Sequence, residues 1–326
     1  ELLNPVNKEQ FMMLDDIQLD GQDIKQFYEE KIKQVLMGRF GDFMLINGED
    51  SYNLSVKKGE IVRFYLTNTA NTRIFNFSIS GQKLKVIGSD SGTYEQETWD
   101  NAVVIAPSER RVVEVLFDNP GTYNIMNINP VMKYNLGKIQ VLDIAVENKI
   151  SNFEKLRSNI LVKEELKNYK QYINKNPDVE LKLDIKFPGM SNGHMMGSMM
   201  HIEESGIEWE DVMKPANFAS SNNTIDWLIT DSKTGKSNMA IDYNWKIGDK
   251  VKIRIFNDPN SMHPMQHPIH FHGQRFLVLA VDGVPNDNLV WKDTVLVPSG
   301  KKVDILLDVT NPGDWMAHCH IAEHLS

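Results

Sequence analysis

The only cysteine of the chain, Cys319, stands between two histidines in the segment 315–324, and a third histidine ends that segment. A second histidine cluster occupies residues 267–273. Thiolate and imidazole are ligands that copper, zinc and iron prefer, and one Cys with two His in a trigonal arrangement is the blue-copper pattern. The two segments therefore predict a metal centre.

The spacing of these residues predicts two sites. In a strand, Cys319 points to one face and its two flanking histidines point to the other. Two upstream histidines at i and i+2 share a face as well, and Pro268 offsets the histidine before them because proline fixes φ. The predicted mononuclear site comprises His267, Cys319 and His324, and the predicted cluster comprises His270, His272, His318 and His320.

The alternative interpretation is a structural zinc site, or histidines that only pack and form hydrogen bonds. Scattered histidines would favour that interpretation. Six histidines and the sole cysteine are instead concentrated in two short segments, which favours a metal centre.

The sequences HPIHFHG and HCHIAEH resemble the last domain of multicopper oxidases, the family of laccases and periplasmic cuprous oxidases, in residue type, order and spacing. The resemblance implies electron entry at a type 1 copper, transfer along Cys–His, and reduction of O2 to water at a trinuclear copper cluster. Cys319, His318 and His320 are then the predicted catalytic residues. By motif, His267, Cys319 and His324 resemble type 1 ligands, His270 a type 2 ligand, and His272, His318 and His320 type 3 ligands.

Length and composition place limits on the function. The chain has 326 residues, which suggests two or three domains, and its apolar and charged fractions are those of a globular protein. A net charge of −9 without a basic block argues against a nucleic-acid partner. No apolar run approaches the length of a membrane span. The sequence shows no signal peptide, and the family resemblance implies a periplasmic or extracellular location.

Short apolar or alternating runs separated by turn residues predict an all-β fold of two cupredoxin-like Greek-key sandwiches with a short helical connector. Helical spacing at 23–37 and a Lys- and Glu-rich stretch at 151–173 predict the exceptions. The predicted organisation is a metal-free domain at 1–147, a charged connector at 148–177, and a copper-binding domain at 178–326. The predicted strands lie at 11–19, 43–47, 62–68, 74–79, 83–87, 103–106, 111–117 and 139–146.

An internal repeat relates the two halves of the chain. Residues 55–68 parallel 244–257, and three further segments follow in the same order in both copies. All seven predicted ligands are absent from the first copy, although the turn glycines and prolines remain. The scaffold therefore does not require these residues. The equivalents of the histidines and cysteine are Phe75, Ser78, Ser80, Met126, Asn127, Ile128 and Met132.

The histidine count predicts a missing domain. A trinuclear cluster of this family uses eight histidines, whereas residues 1–193 contain none and the second copy supplies four. The family resemblance implies that an N-terminal domain with two His-x-His pairs supplies the others, and that the 326 residues alone show no oxidase turnover. It also places the weak axial methionine ten residues after Cys319, beyond Ser326.

Methionines predict a site for a Cu(I) substrate, because soft thioether ligands select Cu(I). A loop at 189–201 combines methionines with Gly, Ser, Asn and His, and such insertions occur in cuprous oxidases. A flexible surface is the alternative for this loop, and packing is the alternative for the two methionines before His267. The candidate residues are Met190, Met195, Met196, Met199, Met200, Met262 and Met265.

The predicted parent protein is an oxidase that takes electrons from a small reducing substrate, Cu(I) first and phenols second, and passes them to O2. A blue-copper electron-transfer or copper-storage protein is one alternative. The other is a two-domain copper enzyme with its cluster between subunits. The absence of histidine from the first half argues against the second alternative, because that half normally contributes ligands.

Overall fold

The computed structural model describes residues 4–26, 32–147, 149–150, 152–188 and 205–325. The chain separates into two compact units. The first unit comprises Glu1–Lys25 and Gly41–Glu165, and the second comprises Gln26–Phe40 and Leu166–Ser326. The division at residues 165 and 166 falls inside the predicted connector, and a short early segment, Gln26–Phe40, belongs to the second unit.

Strands dominate both units, so the predicted all-β class is confirmed. Those of the first unit are β1 (Lys8–Ile17), β2 (Leu19–Asp20), β3 (Asp23–Ile24), β4 (Phe43–Ile46), β5 (Tyr52–Lys58), β6 (Glu60–Asn68), β7 (Phe75–Ile79), β8 (Leu84–Ser89), β9 (Gly92–Asp100), β10 (Val103–Ile105), β11 (Arg110–Phe117), β12 (Gly121–Ile128) and β13 (Lys133–Ala145). Those of the second are β14 (Val179–Lys186), β15 (Asp226–Asp231), β16 (Lys250–Asn257), β17 (His267–Phe271), β18 (Arg275–Val281), β19 (Val284–Pro285), β20 (Trp291–Lys292), β21 (Thr294–Val297), β22 (Lys302–Asp308) and β23 (Ala317–Cys319).

The first unit contains one sheet with strand order β4-β1-β6-β11-β8-β9 and another with order β10-β7-β12-β13-β5. Alternating burial along the strands directs one face of each into a common apolar core. In β1, for example, Met12 and Leu14 are buried and Phe11 and Met13 are exposed. This pattern is the period-two alternation from which the strands were predicted.

The second unit repeats this arrangement. One sheet has the order β15-β14-β16-β22-β18-β19, with β20 also beside β18, and a smaller sheet has the order β21-β17-β23. The series β15-β14-β16-β22-β18 matches β4-β1-β6-β11-β8, and β21-β17-β23 matches β10-β7-β12. The internal repeat predicted from the sequence is therefore a repeat of topology.

A pair of buried asparagines shows that the repeat extends to individual contacts. Asn68 donates through Nδ2 to the carbonyl of Ile105 at 2.8 Å, and Asn257 donates to the carbonyl of Val297 at 3.0 Å. The strand register agrees as well, since Ser78 lies opposite Met126 in the first unit and His270 opposite His318 in the second. The sequence alignment of the two copies, in which the first copy lacks all seven predicted ligands, therefore agrees with the structural alignment.

The helix predicted at 23–37 is wrong for the described residues. Asp23–Ile24 forms β3, and residues 32–37 contain no helix, while 27–31 lie outside the described part. Gln34 has a φ of 60°, and the three residues that follow it, Val35, Leu36 and Met37, are all buried. A helix packed on one face would expose part of such a run. The segment instead inserts all three side chains into the second core.

Among the described residues of the connector, 160–172 are helical. An α-helix, α1 (Ile160–Leu166), continues into a 3-10 helix at Lys167–Tyr172. Asn159 begins α1 because its Oδ1 accepts a hydrogen bond from the amide of Val162 at 3.2 Å. The other helices are α2 (Lys214–Ala219) and 3-10 helices at Asn238–Ala240 and Ala322–Leu325. Within the described ranges, none of the helices combines the length and the apolar character needed to span a bilayer.

Residues 32–40 form an irregular segment of the second unit, with a turn at 35–37, that we name the strap. Its backbone is held by α2 and the residue after it. The amide of Met37 donates to Asn217 Oδ1 at 3.0 Å, Asn217 Nδ2 donates to the carbonyl of Gly38 at 2.9 Å, and the amide of Leu36 donates to Ser220 Oγ at 2.9 Å. These contacts fix the path of the strap along the second core.

Candidate metal centre

Two adjacent strands and one short turn position His267, Cys319 and His324, which we name the Cys319 site. His267 begins β17 and Cys319 ends β23, and the two strands are antiparallel neighbours with Ile269 opposite Cys319. The following 3-10 helix carries His324 back towards the cysteine. Strand pairing therefore brings together His267 and Cys319, which are separated by 52 residues, and the short turn adds His324.

The three side chains converge on one point. Nδ1 of His267 lies 3.4 Å from Sγ of Cys319, and Nδ1 of His324 lies 3.7 Å from the same sulfur. One ligand atom from each residue falls within 4.8 Å of the others, and all three residues are buried. The sulfur thus faces two imidazole nitrogens in a pocket closed to solvent.

Burial sets the protonation of this site. Desolvation raises the pKa of the Cys319 thiol to about 12, and it lowers the pKa of His267 to about 3. The pKa of His324 also lies well below its ordinary value, first because of burial and then because of His267. At neutral pH the imidazoles are therefore uncharged with free lone pairs, and the thiol proton must leave when a metal binds.

The donor set fits a soft or borderline transition metal. One sulfur and two imidazole nitrogens without a carboxylate are the ligands of blue-copper sites, whereas calcium and magnesium prefer oxygen. In the neighbouring histidine cluster, Nδ1 of His320 is a buried atom that has no hydrogen-bond partner in the described part of the chain. Buried orphan nitrogens are costly in a purely structural arrangement. The residues present therefore fit copper.

Four further imidazoles gather beside this site, and we name them the four-histidine site: His270, His272, His318 and His320. The ring of His270 lies 4.8 to 5.8 Å from each of the other three, and the ring of His318 lies 5.0 and 5.8 Å from those of His272 and His320. All four are partly exposed, in contrast to the buried Cys319 between two of them. Because side chains alternate along β23, the sulfur of Cys319 lies on the opposite face from the neighbouring imidazoles. The role of the four rings as ligands remains a prediction.

Backbone carbonyls fix which nitrogen of two of these rings carries the proton. Nδ1 of His270 donates to the carbonyl of Asp293 at 3.0 Å, and Nδ1 of His318 donates to the carbonyl of Cys319 at 2.7 Å. Both rings therefore present an Nε2 lone pair to the site. Nε2 of His318 lies 2.8 Å from Nε2 of His272, so that two potential ligand atoms meet.

Burial lowers the pKa of two of these rings, His318 and His320. Burial lowers the pKa of His320 to about 4, and the neighbouring His270 and His318 lower it further. The pKa of His318 is also lowered, mainly by desolvation. Imidazoles held neutral and close together are suited to bind metal ions without competing protons.

Comparison with known sequences decides the family. A profile described as multicopper oxidase matches residues 17–145, and a second with the same description matches residues 208–326. The chain belongs to the multicopper oxidase family. Membership implies copper as the cofactor, with a type 1 ion and a trinuclear cluster in the full-length enzyme.

Curated relatives and solved structures agree with this family. The chain is 29% identical over 290 residues to the multicopper oxidase mco of Staphylococcus haemolyticus, covering 88% of this chain and 51% of that protein. It is 34% identical over 93 residues to the multicopper oxidase MmcO of Mycobacterium tuberculosis, covering 25% and 18%. The chain therefore spans about half the length of the Staphylococcus relative.

Solved multicopper oxidases share the fold. A laccase-like multicopper oxidase from Ochrobactrum matches with a TM-score of 0.68 at 21% identity, covering 98% of this chain and 66% of that one. A metallo-oxidase from Campylobacter jejuni matches with a TM-score of 0.64 at 21% identity, covering 97% and 61%. At this identity the likeness concerns the architecture alone.

The methionines predicted to bind Cu(I) lie in different surroundings. Met265 is fully buried in the second core, and Met262 is partly buried against it, which favours packing for Met265. His263 is also fully buried, and its Nε2 lies 3.1 Å from Sδ of Met37. The remaining candidates lie outside the described residues: Met190, Met195, Met196, Met199 and Met200.

Several residues around the predicted ligands were not anticipated from the sequence. Thr294 Oγ1 lies 3.0 Å from Nδ1 of His270, beside the carbonyl of Asp293. Glu323 has its carboxylate 3.9 Å from Nε of Arg39 on the strap. Trp227 contacts two ligand rings. Only Asp293 and Thr294, which directly precede an apolar run, carried a local sequence signal. The contacts of Glu323 and Trp227 join residues that are distant in sequence.

Proposed function

We propose that the full-length protein is a copper-dependent oxidase that couples four one-electron oxidations of a donor to the reduction of O2 to water. The observation that carries this proposal is the position of Cys319 and His318 on one strand, where consecutive residues face two different sites. An electron-transfer protein needs only the first site. A strand that joins two sites suits an enzyme that oxidises a donor at one site and reduces O2 at the other.

The residues present supply the thiolate and two imidazoles of one site and part of another. The Cys319 site would hold a type 1 copper, and the four-histidine site would contribute His270 to a type 2 copper and the other three rings to type 3 coppers. Copper, when bound, supplies the one-electron redox chemistry. The protein excludes water from Cys319, keeps its two partner imidazoles neutral, and presents Nε2 lone pairs from His270 and His318.

A short bonded connection joins the sites. Cys319 and His318 share a peptide bond, and Nδ1 of His318 also donates to the carbonyl of Cys319 at 2.7 Å. The covalent route and the hydrogen bond run between the thiol residue and an imidazole of the second site. This connection supports electron transfer from the Cys319 site to the four-histidine site.

We infer that a further domain of the full-length protein supplies the four remaining imidazoles. Two observations support this inference: the four-histidine site is partly exposed, and the chain covers 51% of its Staphylococcus haemolyticus relative. Residues 1–193 contain no histidine, so the first unit is not the source. Two His-x-His pairs in the coding sequence upstream of Glu1 are the expected finding.

Cu(I) is the proposed electron donor, and phenols are the second choice. Support comes from the methionine-rich composition of residues 189–201, because thioethers prefer Cu(I) over Cu(II). The Campylobacter jejuni protein is described as a metallo-oxidase and the Ochrobactrum protein as laccase-like, so the structural relatives include both kinds. A periplasmic or extracellular location is part of the proposal, and cell fractionation tests it.

Oxygen uptake by the copper-loaded, full-length protein tests the function. We expect four Cu(I) ions to be oxidised per O2 consumed, with an intense visible absorption from the Cys319 site. The matched variant Cys319→Ser keeps the side-chain size and should lose both the absorption and the uptake. A protein that binds one copper ion and consumes no oxygen would instead be an electron-transfer or storage protein.

A further inference from the structure

Trp227 is a large side chain that contacts both imidazoles of the Cys319 site. It lies on β15 and is buried. Its ring stacks on His324 with centroids 4.3 Å apart and 29° between the planes, and it meets His267 edge-on at 4.8 Å and 70°. One indole therefore packs against two rings that must both be aimed at the same sulfur.

The indole is itself fixed by the strap. Nε1 of Trp227 donates to the carbonyl of Val35 at 2.7 Å, in a buried hydrogen bond between residues 192 positions apart in sequence. Two residues further along the strap, Met37 contacts the buried ring of His263, which lies 6.0 Å from the ring of Trp227. The strap is in turn held by Asn217 and Ser220. The position of the indole is thus set by its hydrogen bond to the strap, which Asn217 and Ser220 hold in turn.

The ring of His324 lacks the usual means of orientation. A metal-binding histidine ordinarily donates its second ring nitrogen to a carbonyl or carboxylate, which fixes the rotation of the ring. Nε2 of His324 is buried and has no such partner in the described part of the chain. Rotation about the last side-chain torsion of histidine is otherwise broad. Packing must therefore orient this ring, and the stacked indole is the group that does so.

We propose that Trp227, held by the strap through Val35, is a positioning residue of the Cys319 site, taking the place of the hydrogen bond that orients a ligand histidine elsewhere. The inference rests on the proposed function only in taking the bound metal to be copper. It assigns to a segment from early in the chain, the strap, an influence on a site whose ligands all lie after residue 266.

Two variants of the full-length, copper-loaded protein separate the parts of this role. Trp227→Leu removes the stacked ring, and we expect the affinity for copper at the Cys319 site to fall about tenfold or more. Trp227→Phe keeps an aromatic ring but loses the bond to Val35, and we expect a loss of about fivefold, equivalent to one hydrogen bond. Competition with a copper chelator, followed by the visible absorption of the site, measures both values.

The electron paramagnetic resonance spectrum supplies a readout that a merely structural role would not move. Loss of ring orientation should broaden the copper hyperfine lines in Trp227→Leu. The control is Trp245→Leu, because Trp245 packs against the same core but stacks on Tyr243, with centroids 5.0 Å apart. Thermal unfolding of the metal-free variants shows which of them fold. If Trp227→Leu does not fold, the copper affinity and spectrum of Trp227→Phe test the positioning role.

Two failures are distinguishable. A blue wild-type protein whose folded Trp227 variants keep its spectrum and copper affinity would overturn the positioning role and leave the proposed function intact. A wild-type protein that never develops the visible absorption would overturn the proposed function. Line broadening and weaker binding in the Trp227 variants, with wild-type behaviour of Trp245→Leu, would establish the positioning role.

Discussion

Nδ1 of His318 donates a hydrogen bond to the carbonyl oxygen of Cys319, 2.7 Å away. The bond turns the opposite nitrogen, Nε2, towards His272 in the four-histidine site. Because the same two residues share a peptide bond, the buried sulfur and the partly exposed imidazole are held in a fixed relation. The geometry of one site is therefore coupled to that of the other.

Substitution of His318 should separate the effect of its Nδ1 hydrogen bond to Cys319 from the effect of its Nε2 as a ligand. Asparagine can place its amide nitrogen where Nδ1 lies, so His318→Asn keeps the bond to Cys319 but removes the Nε2 ligand. We expect it to retain the visible absorption of the Cys319 site and to lose oxygen reduction by about 100-fold or more. His318→Ala, which removes both groups, should also shift the absorption. Oxygen uptake at the wild-type rate in His318→Asn would rule out a ligand role.

The repeated asparagines provide a matched pair for stability. Asn257→Ala leaves the buried carbonyls of Met265 and Val297 without their donor, and we expect the free energy of unfolding to fall by about 2–4 kcal/mol. Asn68→Ala should cost a similar amount in the first unit. Only Asn257→Ala should alter the visible absorption, because Met265 lies two residues before His267. Urea unfolding and copper titration of both variants test this difference.

Two equivalent glycines predict a difference in local crowding. Gly81 and Gly273 have φ of 69° and 61°, so alanine at either position costs about 1 kcal/mol through the backbone. A Cβ at Gly81 meets nothing within 4 Å, whereas one at Gly273 lies 2.3 Å from the ring of Trp315. That ring is anchored by a hydrogen bond from Nε1 to the carbonyl of Asn311 at 3.0 Å.

Gly273→Ala should therefore destabilise the protein more than Gly81→Ala. Because Gly273 follows His272 directly, we also expect the copper content of the four-histidine site to decrease in Gly273→Ala alone. Urea unfolding gives the first comparison, and metal analysis of the full-length variants gives the second. Equal losses of stability would show that the indole of Trp315 moves aside without cost.

A buried ion pair in the second unit predicts a dependence of stability on pH. Burial alone would raise the pKa of Asp304, but hydrogen bonds from Arg254 at 2.7 and 2.9 Å and the charge of Lys252 outweigh it and lower this pKa. The pair therefore stabilises the folded state above the unfolded aspartate pKa of about 3.9, and this contribution is lost as pH falls through the lower folded value.

Asp304→Asn tests this dependence in the metal-free protein. The variant should be less stable than wild type at pH 7, and the difference should narrow as the pH falls below about 4. Urea midpoints at both pH values measure the change. Asp226→Asn, at the start of β15, is the control and should follow the wild type. A constant difference across this range would exclude the charge of Asp304 as the cause.

Much of the fold could be predicted because its signals are local. The alternation in β1, the turn at Gly81 and the order of the repeated segments all describe neighbouring residues. The helix at 23–37 failed for the converse reason. Its apolar spacing matched a helical face, but Val35, Leu36 and Met37 bury their side chains in a core built from residues more than 140 positions away. The spacing of apolar residues within a segment does not reveal packing partners that lie so far away in the sequence.

The sequence by itself determined the chemistry of the ligands. Cys319 and its histidines are defined by residue type and short spacing, and strand geometry then separates sulfur from imidazole. Only the tertiary structure decided how the rings are oriented. Trp227 meets Val35 across 192 positions, and Asp293 meets His270 across 23. Such contacts depend on which surfaces become adjacent when the sheets pack, and no local pattern of residues encodes that adjacency.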